Sequence, residues 1–537
     1  MRWQDQLSKL FRTKQSSIMA ASLVLAATFV ISAILGFLRT RILYDHFFQT
    51  SILELDAFNA AFRLPDLIFK LLVTGAISAS FIPVYTSYLY KNKALADKVA
   101  SSTINLLFLA FMVISLIVFI LANPFSRLIA RGFSPYQISV MASLTRILLL
   151  AQIFFLFSNF LTSILQINQF FLVPALSPIV YNLVIISSIY LLGPKWGIYG
   201  VAWGTVAAAC LHLLIQIPTL RRQGFHYQLI FNYHLTGVKE VIHLMIPQTF
   251  SIGVSEIEST VILSFASLLT AGSVSLLNLA LQLMYLPSRI LSTTVGQASL
   301  PILSRKVAEK NFGRFREIVF KTVIQSLFLA LPIAVIVLVL RLDLVRLIFG
   351  SKKFPWEATK VTAATLGFLT PAIVCQALIQ IIIRAFYALH NTKIPLISAI
   401  ISLIVCIVSS FIFINSTSLG IAGLALGISL GDISQSLSLV VCFALKVKGF
   451  DWKEILNRFL LIIFSSLIGG LCCWGSMRLL DGYLFDTSRV IGVACVFIFS
   501  SLIGLASYFL TAFGLHLEEV ADYKQYLLRL KHFIYRR

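Results

Sequence analysis

Asp56, Asn59, Arg63, Asp66 and Lys70 follow one another at gaps of 3, 4, 3 and 4 residues, the spacing that stacks side chains on one helix face. The residues between them are apolar or small, from Ala57 and Phe58 to Val73, and Thr74 and Ser78 extend the polar edge. With Arg39 the group holds three bases and two acids. A net positive group suits an anionic ligand, because an Arg fork grips phosphate oxygens with two parallel hydrogen bonds while Lys acts as a point charge. In a soluble protein the same stripe would be an ordinary solvated face. In a chain built almost wholly of membrane spans, a charged stripe is expected to line a wet cavity. An amphiphile with an anionic head and a lipid tail fits a polar cavity that opens sideways to lipid.

The elements that must position these residues are transmembrane helices. The chain has 537 residues, 58% hydrophobic and 12% charged, about half the usual charged share. Apolar stretches long enough to cross a hydrocarbon core of about 30 Å recur along its length. The alternation of a transmembrane β-barrel is missing. The expected fold is an all-α polytopic membrane protein with about fourteen spans, near 17–43, 54–88, 101–122, 141–165, 170–193, 197–217, 239–269, 274–302, 318–340, 360–388, 394–415, 419–445, 457–479 and 489–513. We number them spans 1 to 14.

The net charge of +22 follows from topology rather than from nucleic-acid binding, because cytoplasmic loops collect Lys and Arg. Basic residues gather at the N-terminus and in the loops after spans 2, 6, 8 and 12, as in Lys91, Lys93, Arg221, Arg305 and Lys446, and again in the tail. The loop near 341–360, with Arg341, Arg346, Lys352 and Lys353, breaks the pattern. An even span count is expected to put both termini in the cytoplasm. Residues 1–16 and the tail 515–537 are amphipathic and are expected to lie on the inner leaflet; the first fourteen carry no cleavage site of a signal peptide. The seven cysteines sit in apolar runs with no metal-ligand spacing, as small buried hydrophobes. No nucleotide-binding glycine loop or HExxH run occurs, which argues against an ATP-driven pump acting alone.

Two halves of the chain echo each other. Phe58-Asn59-Ala60-Ala61-Phe62-Arg63-Leu64 parallels Leu277-Asn278-Leu279-Ala280-Leu281-Gln282-Leu283, and Ala79–Pro83 parallels Ala298–Pro301. Gly197-Ile198-Tyr199-Gly200-Val201-Ala202-Trp203-Gly204 parallels Gly420-Ile421-Ala422-Gly423-Leu424-Ala425-Leu426-Gly427, and Asn168 and Pro174 parallel Asn391 and Pro395. Four landmarks in one order indicate a repeat. It gives an N-lobe over 17–222 and a C-lobe over 223–447, then extra spans 13 and 14 over 448–514 that form either an added groove or a packing buttress. An even number of spans per repeat gives both lobes one orientation, as in transporters that rock between inward and outward states.

Other charges fall inside spans, where each costs about 2.5–3.5 kcal/mol on insertion scales. Arg41, Arg146 and Arg384 read first as structural or snorkelling residues. Glu256 and Glu258, two apart, face different directions, so at least one is expected to pair with a base. With Asn391 and Asp432 they form the candidate charge-coupling set.

Several of these pieces resemble the MurJ/MviN lipid II flippases of the multidrug/oligosaccharidyl-lipid/polysaccharide exporter superfamily. The resemblance is carried by Leu35-Gly36-Phe37-Leu38-Arg39, Asp56-Ala57-Phe58, Phe62-Arg63-Leu64-Pro65, Gly75-Ala76, Phe81-Ile82-Pro83, Leu144-Thr145-Arg146-Ile147 and Ala271-Gly272-Ser273-Val274-Ser275. It extends to the run from Arg384 to Pro395, similar to the family's R-x-F-Y-A-x-x-D-T-K-T-P. The resemblance implies two lobes around a cationic cavity, and export of undecaprenyl-pyrophosphate-linked peptidoglycan precursor. It also implies importance for Arg39 and Asp56. The chain departs from the family at Ala33 and Gln282, where arginines are usual, and at Asn391, where Asp is usual; its basic position in span 2 is Lys70 alone, preceded by Phe69.

The resulting expectation is a lipid II flippase rather than an enzyme. Arg39, Asp56, Asn59, Arg63, Lys70, Gln282 and Arg289 form its substrate-binding set, with Asp56 pairing with a base while the cavity is empty. No cofactor or metal is expected, and coupling to Na⁺ or to the membrane potential is left open. The partners are lipid II or a similar anionic polyprenyl-pyrophosphate lipid, the membrane, and cell-wall synthesis enzymes, with no nucleic acid. The alternatives are an exporter of another lipid-linked oligosaccharide or of a drug, a membrane transferase using a lipid-phosphate donor, and a non-transporting scaffold for cell-wall enzymes. A drug exporter would favour a net acidic cavity, and a transferase would need Asp, Glu or His in its water-facing loops.

Overall fold

The computed structural model describes residues 18–520, apart from 352, 390, 448, 450 and 451. The expected interfacial helix at 1–16 and the tail beyond 520 lie outside the described residues. All regular structure among the described residues is helical, as expected for a chain whose backbone polar groups must be satisfied within each span. Among the described residues, eleven helices are long and apolar enough to cross a membrane. The other expected spans fall on the helix from Ile52 to Lys91, which is interrupted into short α and π segments, and on Thr236–Ser267 and Ser273–Ala308. Fourteen spans are consistent with this arrangement.

Packing divides the chain into two compact units, Met1–Ser275 and Leu276–Arg537. Span 7, Thr236–Ser267, packs within the first unit, against span 2, although the sequence repeat assigns it to the second lobe. The repeat boundaries at 222 and 447 are a division of the sequence and stand as a proposal.

Each unit carries the glycine landmark of the repeat in the same local form. Gly197 and Gly420 both have positive φ, +58° and +55°, where a side chain would be strained. Seven residues on, a Cβ on Gly204 would sit 2.0 Å from Ser188 Oγ, and one on Gly427 would sit 2.1 Å from Ser410 Oγ. Both glycines therefore let span 6 or span 12 lie directly on the helix before it.

Prolines inside spans free carbonyls one turn back, and hydroxyl groups take them up. Pro65 leaves the Ala61 carbonyl, which accepts from Thr145 Oγ1 at 3.2 Å. Pro332 leaves that of Phe328, which accepts from Tyr508 Oη at 2.7 Å. Pro371 leaves that of Gly367, which accepts from Thr370 Oγ1 at 2.8 Å. Tyr508 belongs to span 14. It packs with Ile324, Phe328, Ile462 and Ala512 in one buried cluster, and a Cβ on Gly469 of span 13 would lie 2.8 Å from the Gly504 carbonyl oxygen of span 14. Spans 13 and 14 thus buttress span 9 inside the second unit.

A polar row that the sequence analysis did not single out fastens the segment after span 6. Along span 3, Lys93 Nζ donates to the Gln223 carbonyl (2.8 Å), Asp97 accepts from the His226 amide (3.3 Å), and Ser101 accepts from the Gln228 amide (3.1 Å). Asn105 Nδ2 donates to the carbonyls of Gln228 and Ile230 at 3.0 and 2.9 Å, and Tyr227 donates to Asn105 Oδ1. Ser102 closes the far end, accepting from the Asn232 amide at 2.8 Å. Asn105→Leu removes the clamp on two carbonyls, each costing about 1–3 kcal/mol if left unsatisfied. Tryptic cleavage after Arg221 and Arg222 is then expected to accelerate severalfold on gels of the purified protein. An unchanged rate would show that Asn105 does not hold the strap.

Candidate functional site

The polar stripe lies on the least regular span. Ile52–Ala61 and Arg63–Phe69 are α-helical, Lys70–Thr74 and Ile77–Phe81 are π-helical, and Ile82–Lys91 returns to α. In the first π segment the Gly75 amide donates to the Lys70 carbonyl. That leaves the Leu71 carbonyl without its α-helical donor, and Thr249 Oγ1 of span 7 supplies one at 3.0 Å. A Cβ on Gly75 would meet that hydroxyl at 3.0 Å, so the glycine makes room for it. π segments inside α-helices gather at functional sites. Here one begins at Lys70.

Arg63 and Lys70 converge on a single carboxylate. Arg63 Nη2 lies 2.5 Å from Glu256 Oε2, and Lys70 Nζ lies 2.9 Å from Glu256 Oε1. Arg63 Nη2 also donates to the Glu256 carbonyl at 2.6 Å, and its Nε donates to Thr260 Oγ1 at 2.8 Å. The Arg63 and Glu256 side chains are 13% and 8% exposed, whereas Lys70 is 42% exposed, so the cluster opens at its lysine end. Asp66, on the same face of span 2, accepts from Gln152 Nε2 of span 4 at 2.7 Å. The sequence count of bases over acids omitted span 7, and Glu256 offsets one of them. Arg39 is half-buried, its guanidinium carbon 5.7 Å from the centroid of the Tyr181 ring, a cation–π placement.

Among the described residues Asp56 meets backbone amides rather than the base that the sequence reading expected. It is 2% exposed. Its Oδ2 accepts from the Gly272 amide at 2.6 Å and its Oδ1 from the Ser275 amide at 2.9 Å. These amides open the helix Ser273–Ala308, where the unsatisfied N–H groups and the helix dipole favour a carboxylate. Asn59 joins the same corner, donating to Ser275 Oγ at 2.9 Å and to Tyr44 Oη at 3.0 Å, while Tyr44 Oη donates to the Ser275 carbonyl at 2.9 Å. A cavity of about 240 Å³ adjoins Asp56, lined also by Leu53, Gln137, Ser267 and Thr270.

The remaining candidates are more dispersed. Glu258 is half-buried, two residues from Glu256 and on a different face of the helix. Gln282 is half-buried on span 8, and the Arg289 side chain lies outside the described residues. In the second unit, Asp432 accepts from Gln376 Nε2 at 2.9 Å, and Asn391 Oδ1 accepts from the Ile394 amide at 3.2 Å, capping the helix that follows. No group of three or more His, Cys, Asp or Glu side chains is arranged to hold a metal among the described residues. Arg146 donates to the Phe119 carbonyl at 3.0 Å, a structural role. Gln152, Thr249 and Thr260 escaped the sequence analysis, since single polar residues on apolar helices carry no spacing signal.

A helical membrane protein with an internal repeat and a buried charge cluster fed by two spans belongs to the class of polytopic transporters. The fold agrees. A solved lipid II flippase MurJ, in its inward closed conformation, superposes with a TM-score of 0.74 at 25% identity over 91% of this chain and 98% of the other. An inward-facing multidrug transporter of the MATE family, at 13% identity and a TM-score of 0.64 over 81% of this chain and 99% of the other, shares the fold. The sequence profile of the family described as lipid II flippase MurJ matches residues 46–492, and the chain belongs to that family. Curated relatives include the probable lipid II flippase of Bdellovibrio bacteriovorus, 27% identical over 72% of this chain and 75% of that protein. The flippase of Burkholderia cenocepacia is 28% identical over 72% of this chain and 76% of that protein.

Proposed function

We propose that this chain carries lipid II from the inner to the outer leaflet of the bacterial cytoplasmic membrane, with the pyrophosphate held by Arg39, Arg63 and Lys70. The observation that carries the site assignment is the convergence of Arg63 and Lys70 on both oxygens of one carboxylate. Two donors spaced for a carboxylate are also spaced for two oxygens of a phosphate. The helix rise of about 1.5 Å per residue places Arg63 and Glu256, each eleven residues from one end of its span, at similar depth. That depth is about 16 Å, near the middle of the bilayer. A transporter site belongs there. Flipping forms and breaks no covalent bond, so the work required of the protein is to solvate the head group while the lobes rock. Both termini face the cytoplasm in this reading. Membrane potential or a cation gradient biases the return step, and Asp432 and Glu258 are the ionisable candidates to sense it.

The test is head-group flipping of fluorescent lipid II in liposomes containing the full-length protein. Wild type is expected to expose the probe to an external quencher, and Arg39→Ala is expected to lose at least tenfold in rate. Wild-type rates equal to those of empty liposomes would leave the scaffold alternative.

A further inference from the structure

Glu256 stands where a substrate oxygen pair would stand. Each of its carboxylate oxygens takes one base, Arg63 at 2.5 Å and Lys70 at 2.9 Å, and together they engage the two donors best placed for a phosphate. Asp66 lies between those bases along span 2 and accepts from Gln152. The four groups together, two bases and two acids, carry no net charge. A neutral cluster is inexpensive to keep in a membrane, but it offers an entering anion little attraction until one acid gives way. Lys70 is the exposed member, 42% against 8% for Glu256, so an anion entering at the open end meets the lysine first.

Resting on the flippase reading above, we propose that Glu256 is a resident competitor. It occupies Arg63 and Lys70 in the unloaded carrier, must leave them for a pyrophosphate to bind, and returns to expel it. A carrier has to bind well enough to load and weakly enough to release, and an internal carboxylate provides the second property. A singly charged head group gains too little to displace it, whereas a pyrophosphate, with more charge and more oxygens, can. Glu256 is thereby a specificity-determining residue as well as a release device.

The experiment measures binding of undecaprenyl pyrophosphate, and separately of inorganic pyrophosphate, to the purified full-length protein in detergent. Glu256→Gln keeps the size of the side chain and removes its charge. The lipid is expected to bind at least tenfold more tightly to this variant than to wild type, while flipping in liposomes slows because release slows. Tighter binding of the inorganic ion as well would assign the effect to the shared pyrophosphate chemistry; tightening confined to the lipid would assign it to the head group together with its tail. Glu256→Asp keeps the charge but is too short to reach both bases, so it is expected to tighten binding by a smaller factor. It serves as the readout where the Gln variant does not fold. Asn105→Leu, whose partners are Tyr227, Gln228 and Ile230 and neither base, is expected to leave the affinity within twofold. Unchanged or weaker binding in the Glu256 variants, or equal tightening in Asn105→Leu, would overturn the competitor role. Failure of wild type to bind either ligand would instead overturn the site assignment.

Discussion

Arg63→Ala is expected to abolish rescue of a bacterium depleted of its own flippase, even where immunoblots show the variant in the membrane. The substitution removes the group that donates to Glu256 Oε2, the Glu256 carbonyl and Thr260, and it leaves a carboxylate 8% exposed with Lys70 as its remaining base. Breaking a buried pair from one side costs about 3–5 kcal/mol, because the surviving charge stays desolvated. Stability and transport fall together in the single variant, and a second substitution separates them. In the double variant Arg63→Ala with Glu256→Ala the orphaned acid is gone, so thermal stability is expected to recover most of the loss while rescue remains absent. Arg63→Lys keeps the charge, but one ammonium cannot replace a fork that reaches an oxygen on each of three groups, so partial rescue is expected. Full growth of the double variant would show that Arg63 serves only to neutralise Glu256.

The sequence made some of this legible and hid the rest for physical reasons. The all-helical membrane class followed from long apolar runs, a property of composition that packing does not alter. The repeat was visible because Gly197 and Gly420 need positive φ, and Gly204 and Gly427 need to admit Ser188 and Ser410. Such demands can be met by one residue type, so they survive as letters. Motifs quoted above as family resemblance also have local causes. Thr145 caps the carbonyl freed by Pro65, and Gly272, at φ +90° and with Ile52 only 2.6 Å from where its Cβ would be, turns its amide toward Asp56. What stayed hidden were partners distant in sequence. Spacing within span 2 placed Arg63 and Lys70 on one face, but it could not choose between Glu256 and Glu258 on another helix. Asp56 was harder still, since its partners are backbone amides and every residue except proline carries one. The strap on span 3 had a signal, polar residues four apart at 93, 97, 101 and 105, which an interfacial helix would show equally.

Asp56→Asn is expected to be nearly as damaging as Asp56→Ala, the opposite of what an exposed helix cap would show. At ordinary N-termini Asn substitutes well for Asp, because one side-chain oxygen meets one amide. Here both oxygens are in use, Oδ2 with Gly272 and Oδ1 with Ser275, in a side chain 2% exposed. An asparagine offers one carbonyl oxygen, and its NH₂ group then faces an N–H, donor against donor. One amide keeps an acceptor, while the other is left unsatisfied against the NH₂ group, itself unpaired, at about 1–3 kcal/mol for each buried group, and the charge that favours the helix N-terminus is also lost. Both variants should therefore melt several degrees below wild type in detergent and fail to support growth in the depleted strain. Unlike the loss at Arg63, the loss here has no second-site acid to remove, so Glu256→Ala is expected to leave it uncorrected. Normal growth and melting of the Asn variant would mean that one oxygen suffices, and that the second contact of Asp56 contributes nothing to holding the start of that helix.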